Sequence, residues 1–191
     1  MQFFTLDNAV DRELQLVAPA ARWIDDMLLS CQGPGGATGE TQWTRGRLLD
    51  FLRQHPDGID HGDPLGERWP GYYLWMHLRP NFGAPLPMAG TLSLRLADTE
   101  QIRLYYGHIG FGVFPAARGR HYAERATRLV LPLARRHGMT ELWITANPDN
   151  TPSRRTCQRL GAEFVDTVDV PRKHPLYARG EKQKCRYRLG L

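Results

Sequence analysis

Residues 105–123, YYGHIGFGVFPAARGRHYA, decide the fold. Aromatic and β-branched residues interleaved with glycine predict a strand from Tyr105 to Phe114, which Pro115 ends because it has no amide to donate to a ladder. After the Ala116-Ala117 turn, apolar residues return at helical spacing (Ala123, Ala126, Leu129, Val130, Leu133, Ala134) and predict a helix to about His137, closed by Gly138. Pro132 should kink that helix or loosen one turn. A strand therefore becomes a helix through a small-residue loop carrying Arg118, Arg120 and His121.

Such a loop favours anion capture. The first amides of a helix have no partner within it, and the helix dipole adds roughly half a positive charge there. Three cationic side chains at that end are repelled by the dipole unless an anion lies between them, and a pyrophosphate meets this description. The competing reading is a basic chain with arginines at a turn that binds nothing.

A second segment, Ala146-Asn147-Pro148-Asp149-Asn150-Thr151-Pro152-Ser153, leads into a short helix and the sequence Leu160-Gly161-Ala162-Glu163-Phe164. Taken together, His108 to Asp166 resembles the core of the Gcn5-related N-acetyltransferase (GNAT) superfamily. Its loop signature is Gln or Arg, two residues, Gly, one residue, then Gly or Ala. Arg118 and Ala123 fit that pattern, whereas His121 stands where the family usually has glycine. The chain is similar to bacterial acetyltransferases of unassigned substrate, and its Asn-x-x-Ser and Leu-Gly segment also to those that modify ribosomal-protein N-termini.

The resemblance implies an α/β (α+β) fold: a mixed, mostly antiparallel sheet of about seven strands flanked by about four helices, with a V-shaped splay between strands 4 and 5. It implies one acetyltransferase domain over residues 1–191 and acetyl-coenzyme A as cosubstrate, held with no metal. On this reading the backbone of Phe111, Gly112 and Val113 lines the thioester and pantetheine arm. The amides of Arg118, Gly119, Arg120, His121, Tyr122 and Ala123 hold the pyrophosphate. The His121 side chain either crowds the phosphate or assists it as an imidazolium; assistance is favoured, and the missing glycine is tolerable where φ is helical. Asn150 matches a pantetheine contact and Ser153 the small residue that starts the last helix, although both also suit an N-cap or Asx turn.

The catalytic candidates are Cys157 and His108. Cys157 stands where the family often has a tyrosine that protonates the departing thiolate; it is either that donor or a small core cysteine. Gly107 occupies the position where several members place an ionisable residue, which leaves the adjacent His108 as a general base or a satisfied structural histidine. Further base candidates, Asp60, His61, Asp63 and Glu67, lie in the long aperiodic segment from His55 to Pro70; beside it, Trp69, Tyr72 and Tyr73 suit a small acceptor amine.

Composition is that of a globular chain of 191 residues, 41% apolar and 24% charged. No run approaches the roughly 20 apolar residues of a membrane span. The N-terminus has neither the basic start nor the apolar run of a secretory signal, and three widely spaced cysteines (Cys31, Cys157, Cys185) suit a reducing, cytoplasmic setting. Net charge is +5, with ten basic against four acidic residues from Ser153 onward.

That basic end defines the alternative reading, a catalytically idle acetyltransferase fold that binds RNA or an acidic protein. No nucleic-acid motif with interleaved aromatics is present, so nucleic acid is not the expected partner. An amine acceptor is, and a homodimer would be consistent with relatives.

The remaining pattern predicts a strand at Met1–Leu6, an amphipathic helix over Asp11–Leu29 interrupted by Pro19, and a loop at Gln32–Gln42. A Thr44-capped helix to Gln54, strands at Tyr72–Leu78 and Met88–Ala97 and a turn region at Arg79–Pro87 follow. Beyond the long helix, strands are expected at Glu141–Ala146, Phe164–Val170 and Lys184–Leu189.

Overall fold

A computed structural model of the chain describes residues 1–31, 43–63, 68–80, 83–84 and 86–191. The loop expected at Gln32–Gln42, the candidate Glu67 and part of the Arg79–Pro87 turn lie outside those residues. The described elements are β1 (Leu14–Val17), α1 (Ile24–Cys31), α2 (Arg45–Gln54), β2 (Ile59–His61), β3 (Pro70–Leu78) and β4 (Met88–Arg95), then a π-helical turn (Ile102–Tyr106) and β5 (Ile109–Val113). After these come α3 (Tyr122–Arg136), β6 (Glu141–Ala146), α4 (Thr151–Leu160), β7 (Glu163–Asp169), α5 (Pro175–Ala178) and β8 (Gln183–Gly190).

The strands form two sheets, ordered β1-β3-β4-β5 with β2 on β3, and β6-β8-β7, and all of these pairings are antiparallel. The expected splay between a fourth and a fifth strand falls between β5 and β6, one number later because the short β2 was not foreseen. Leu74, Leu92, Leu94 and Ile109 bury one sheet face in a core shared with Ala126, Val130 and Leu133 of α3. On a second core, Trp75 and Met88 pack with Ile24 and Met27 of α1 and Leu48 of α2. Helix α3 runs unbroken through Pro132, and α2 carries its expected cap, Thr44 Oγ1 accepting from the Arg47 amide (3.3 Å).

The N-terminal expectations hold only in part: the helix expected beyond Pro19 is present as α1, but what precedes Pro19 differs. Met1–Leu6 forms no strand, and the segment expected to be helical from Asp11 contains β1 instead. The Asp11 carboxylate accepts from the amides of Glu13 (2.9 Å) and Leu14 (2.7 Å), a local alternative to helix. Leu14 and Leu16 then alternate into the core while pairing with Leu78 and Met76.

The same carboxylates anchor α3. Arg125 donates to Asp11 through Nε (2.8 Å) and Nη2 (2.7 Å) and to Glu13 through Nη1 (3.0 Å), while the Tyr122 hydroxyl donates to Glu13 (2.6 Å). Burial works against Asp11 and Glu13, yet these hydrogen bonds outweigh it and hold both carboxyls below the usual range. Arg125→Met should cost about 1 to 3 kcal/mol at neutral pH, measured by urea unfolding. Because the folded pKa values are depressed, the difference between wild type and variant should hold above the ordinary carboxylate range and vanish as pH falls through the lowered folded values.

Candidate functional site

The site begins where the sheets touch. The His108 amide donates to the Trp143 carbonyl (2.6 Å), and the Trp143 amide donates to His108 Nδ1 (2.8 Å). Gly107 comes so close to β6 that a Cβ would stand 3.0 Å from Thr145 N and 3.0 Å from the Trp143 carbonyl, and its φ of 70° also requires glycine. The predicted strand start at Tyr105 is corrected here: Tyr105 and Tyr106 belong to the π-helical turn, whose Tyr105 carbonyl accepts from Thr145 Oγ1 (2.8 Å).

Past this contact β5 and β6 part, and a cavity of about 210 Å3 opens between them. Ile109, Gly110 and Phe111 line one wall and Ile144 to Asn147 the other, with Asn150, Ser153, Tyr105, Tyr106 and Lys184 among the rest of the lining. Asn150 and Ser153 are thus both in the cleft and at a cap, since Asn150 Oδ1 accepts from the Ser153 amide (3.2 Å). Among the described residues the edge of β5 that faces β6 has no strand partner, so alternate residues direct amides and carbonyls into the gap.

Gly112, Val113 and residues 118–123 are not in that lining; they continue from it as the loop to α3. Arg118 folds back to donate from Nε to the Val113 carbonyl (3.2 Å), and Gly119, at φ 83°, has open space where a Cβ would stand. The first bond of α3 runs from the Arg125 amide to the His121 carbonyl (3.0 Å), which leaves the amides of Tyr122, Ala123 and Glu124 without a helical acceptor. Tyr122 and Ala123 are both buried, with Tyr122 in the core shared by the first sheet and α3. His121 is exposed and left-handed (φ 58°, ψ 25°), not helical, which corrects the condition on which its assisting role stood. Glycine at that position has a conformational reason, and histidine there is strained by about 1 kcal/mol.

Of the two catalytic candidates, Cys157 lies wholly in the hydrophobic core, its thiol pushed up to about 12 by burial. His108 is also buried; burial outweighs the attraction of Asp98 and lowers its pKa to about 4, so the imidazole is neutral, with Nε2 lacking a partner among the described residues. Neither lines the cleft.

A second cavity, of about 160 Å3, lies on the sheet face opposite α3 and is lined by Asp60, Arg68, Trp69, Tyr73, Ser93, Arg95 and Tyr106 among others. It meets the first at Tyr106 and at Ser93, the ladder partner of Gly110. The sequence pointed to Asp60, Trp69, Tyr72 and Tyr73, all in the lining; it missed Ser93, Arg95 and Tyr106, which are distant along the chain and carry no motif. His61 and Asp63 are not in the lining. Asp60 is 4% exposed and lies 3.4 Å from the Tyr73 hydroxyl, 3.8 Å from Arg68 and 3.9 Å from His55 Nδ1. In the C-terminal region Arg154, Arg159, Lys184, Arg186 and Arg188 are engaged by Tyr187, Glu124, Glu181, Asp166 and Glu163 respectively. No cluster of three potential metal ligands and no helix long and apolar enough to cross a membrane occurs among the described residues.

Two sheets parted beside an open helix N-terminus define an acetyltransferase fold, and comparison with known proteins agrees. Residues 39–163 match the profile of the acetyltransferase (GNAT) domain, and the chain belongs to that family. Among solved structures it is similar to a provisionally named ribosomal-protein-serine acetyltransferase from Vibrio cholerae, with 18% identity and a TM-score of 0.67 over 98% of this chain and 100% of that one. The microcin C7 self-immunity acetyltransferase MccE, solved with acetyl-CoA and AMP, is 15% identical with a TM-score of 0.65 over 97% and 98% of the two chains. A GCN5-related N-acetyltransferase from Brucella melitensis is 15% identical with a TM-score of 0.62 over 95% and 77%. No curated protein matches the sequence.

With a folded pKa of about 4 against about 6.5 unfolded, His108 makes the fold lose on the order of 3 kcal/mol as pH falls from about 6.5 to about 4. His108→Gln should start less stable at neutral pH and lose less over that window. Denaturant unfolding of both proteins at several pH values measures the difference.

Proposed function

We propose that residues 1–191 act as one acetyl-coenzyme A-dependent N-acetyltransferase that moves the acetyl group directly to a primary amine in a ternary complex. The observation that carries this is the cleft between β5 and β6, with the loop to the N-terminus of α3 continuing from its β5 wall. The acetyl-CoA bound in the structurally similar MccE supports the same cosubstrate here. The free edge of β5 at Phe111, Gly112 and Val113, with Asn150 across the gap, suits the amide-bearing pantetheine arm. Residues 118–123, with Arg118 and Arg120 exposed beside them, suit the pyrophosphate.

When bound, acetyl-coenzyme A supplies an activated thioester carbonyl. The chain's part is to bring an amine to it from the second cavity and to manage two protons. We assign Asp60 as the base that takes a proton from the acceptor ammonium, directly or through one water, because it is the buried carboxylate of that cavity. The amine nitrogen would then bond to the acetyl carbon as the carbon–sulfur bond breaks; Tyr106, the phenol common to both cavities, would give its proton to the leaving thiolate and regain one, through water, from the nitrogen as it becomes an amide. Cys157 and His108 become a packing and a positioning residue. With half the basic C-terminal side chains already paired, the idle binding module has less support.

Calorimetric titration with acetyl-coenzyme A should give micromolar binding. His121→Gly should hold that affinity within about threefold and, by relieving its left-handed backbone, raise stability by up to about 1 kcal/mol. Asp60→Asn and Tyr106→Phe should each lower turnover by about a hundredfold or more, read as thiol release, with cofactor affinity kept. Absence of binding at millimolar cofactor would overturn the reading.

A further inference from the structure

The second cavity holds a cation that the chemistry above does not use. Arg95, near the end of β4, donates from Nη1 to the carbonyls of Gly107 (3.1 Å) and Tyr106 (3.4 Å) and has no carboxylate partner among the described residues. Its Nη2 and Nε make no hydrogen bond there, although the group lines the cavity. Burial pulls its pKa below the ordinary value, so its positive charge is held at a cost. The other cation of this cavity, Arg68, is already neutralised between Asp60 (3.8 Å) and Asp63 (3.6 Å).

One cavity thus presents a buried carboxylate and a guanidinium with free donors, joined by the phenols of Tyr73 and Tyr106 and floored by Ser93. An uncharged or singly charged amine would occupy the Asp60 side and leave Arg95 without a counter-ion. Guanidinium binds carboxylates through paired donors, and a cavity of about 160 Å3 has the space of about five waters, which suits a small molecule better than a folded surface.

We infer that the acceptor is a small amino acid, whose carboxylate binds Arg95 and whose amine lies toward Asp60 and the cleft. This deepens the acetyltransferase reading and rests on it for the transfer step, but not for binding. Closeness supports the geometry: a Cβ at Gly110, on the cleft side, would stand 2.8 Å from Ser93 Oγ and 3.6 Å from Arg95 Nη1, so only a bare backbone separates the two compartments there.

The test is calorimetric titration of the cofactor-free protein with α-, β- and γ-amino acids and with the matching amines that lack the carboxylate. At least one amino acid should bind ten- to a hundredfold more tightly than its amine. Arg95→Met should erase that preference and Arg95→Lys recover part of it. Because Arg95 also ties down the π-helical turn, each variant is first checked for wild-type affinity for acetyl-coenzyme A. Amines that bind as well as amino acids, or a preference that survives in Arg95→Met, would overturn the inference, as would binding confined to peptides. Amino-acid selectivity in a protein that ignores acetyl-coenzyme A would keep this inference and sink the acetyltransferase reading.

Discussion

The rest of the structure depends on the imidazole of His108 standing in a strand ladder. Two adjacent parallel strands would normally continue to exchange amide and carbonyl bonds along their length. Here the first bond is ordinary, from the His108 amide to Trp143, but the Trp143 amide is then taken by the ring nitrogen of His108. A side chain has replaced a backbone carbonyl, and pairing stops. Gly107 lets the backbones meet at that point and the Tyr105 carbonyl engages Thr145, so the strands are fastened at one end and diverge at the other. Separation of the sheets is what gives β5 a free edge.

Fastening one end is not enough, because the loop that follows β5 must also be held. Its strained His121 and positive-φ Gly119 make few contacts of their own. The restraint comes from below, where Asp11 and Glu13 bind Arg125, Tyr122 and, at 3.8 Å, Arg120. The carboxylates that stopped the N-terminal segment from becoming helix are therefore those that fix α3. Their charge also offsets some of the positive charge gathered at that helix end, which eases the folded state when no anion is bound.

This linkage explains what the sequence revealed. The turn from β5 into α3, the Asn150 cap and the Leu160-Gly161 helix end are local: their residues meet their own neighbours, and Gly161 is left-handed as a helix terminator should be. The segment from Asp11 to Leu29 read correctly as helix beyond Pro19 and misled before it, because Leu14 and Val17 also fit a helical period. Pairing with β3, more than one hundred and eighty degrees of periodicity, decided for a strand, and that pairing spans sixty residues of sequence. The π-helical turn was hidden for a similar reason, since two tyrosines read as strand until Gly107 and Thr145 are brought together.

The two cavities divide along the same line. The cleft relies on backbone groups, which any sequence able to form the sheets and the glycine turns supplies; a chain only 18% identical to the Vibrio cholerae protein can still overlay on it end to end. The second cavity is built from side chains on β2, β3, β4 and the π-helical turn, each placed by a different long-range contact. Its charges sit outside the hydrophobic clusters, Asp60 held by a turn amide and Arg95 by carbonyls of the π-helical turn. On the reading proposed above, acceptor choice turns on these side chains and cofactor capture on backbone, and Arg95 is the residue at which a change of acceptor would first be felt.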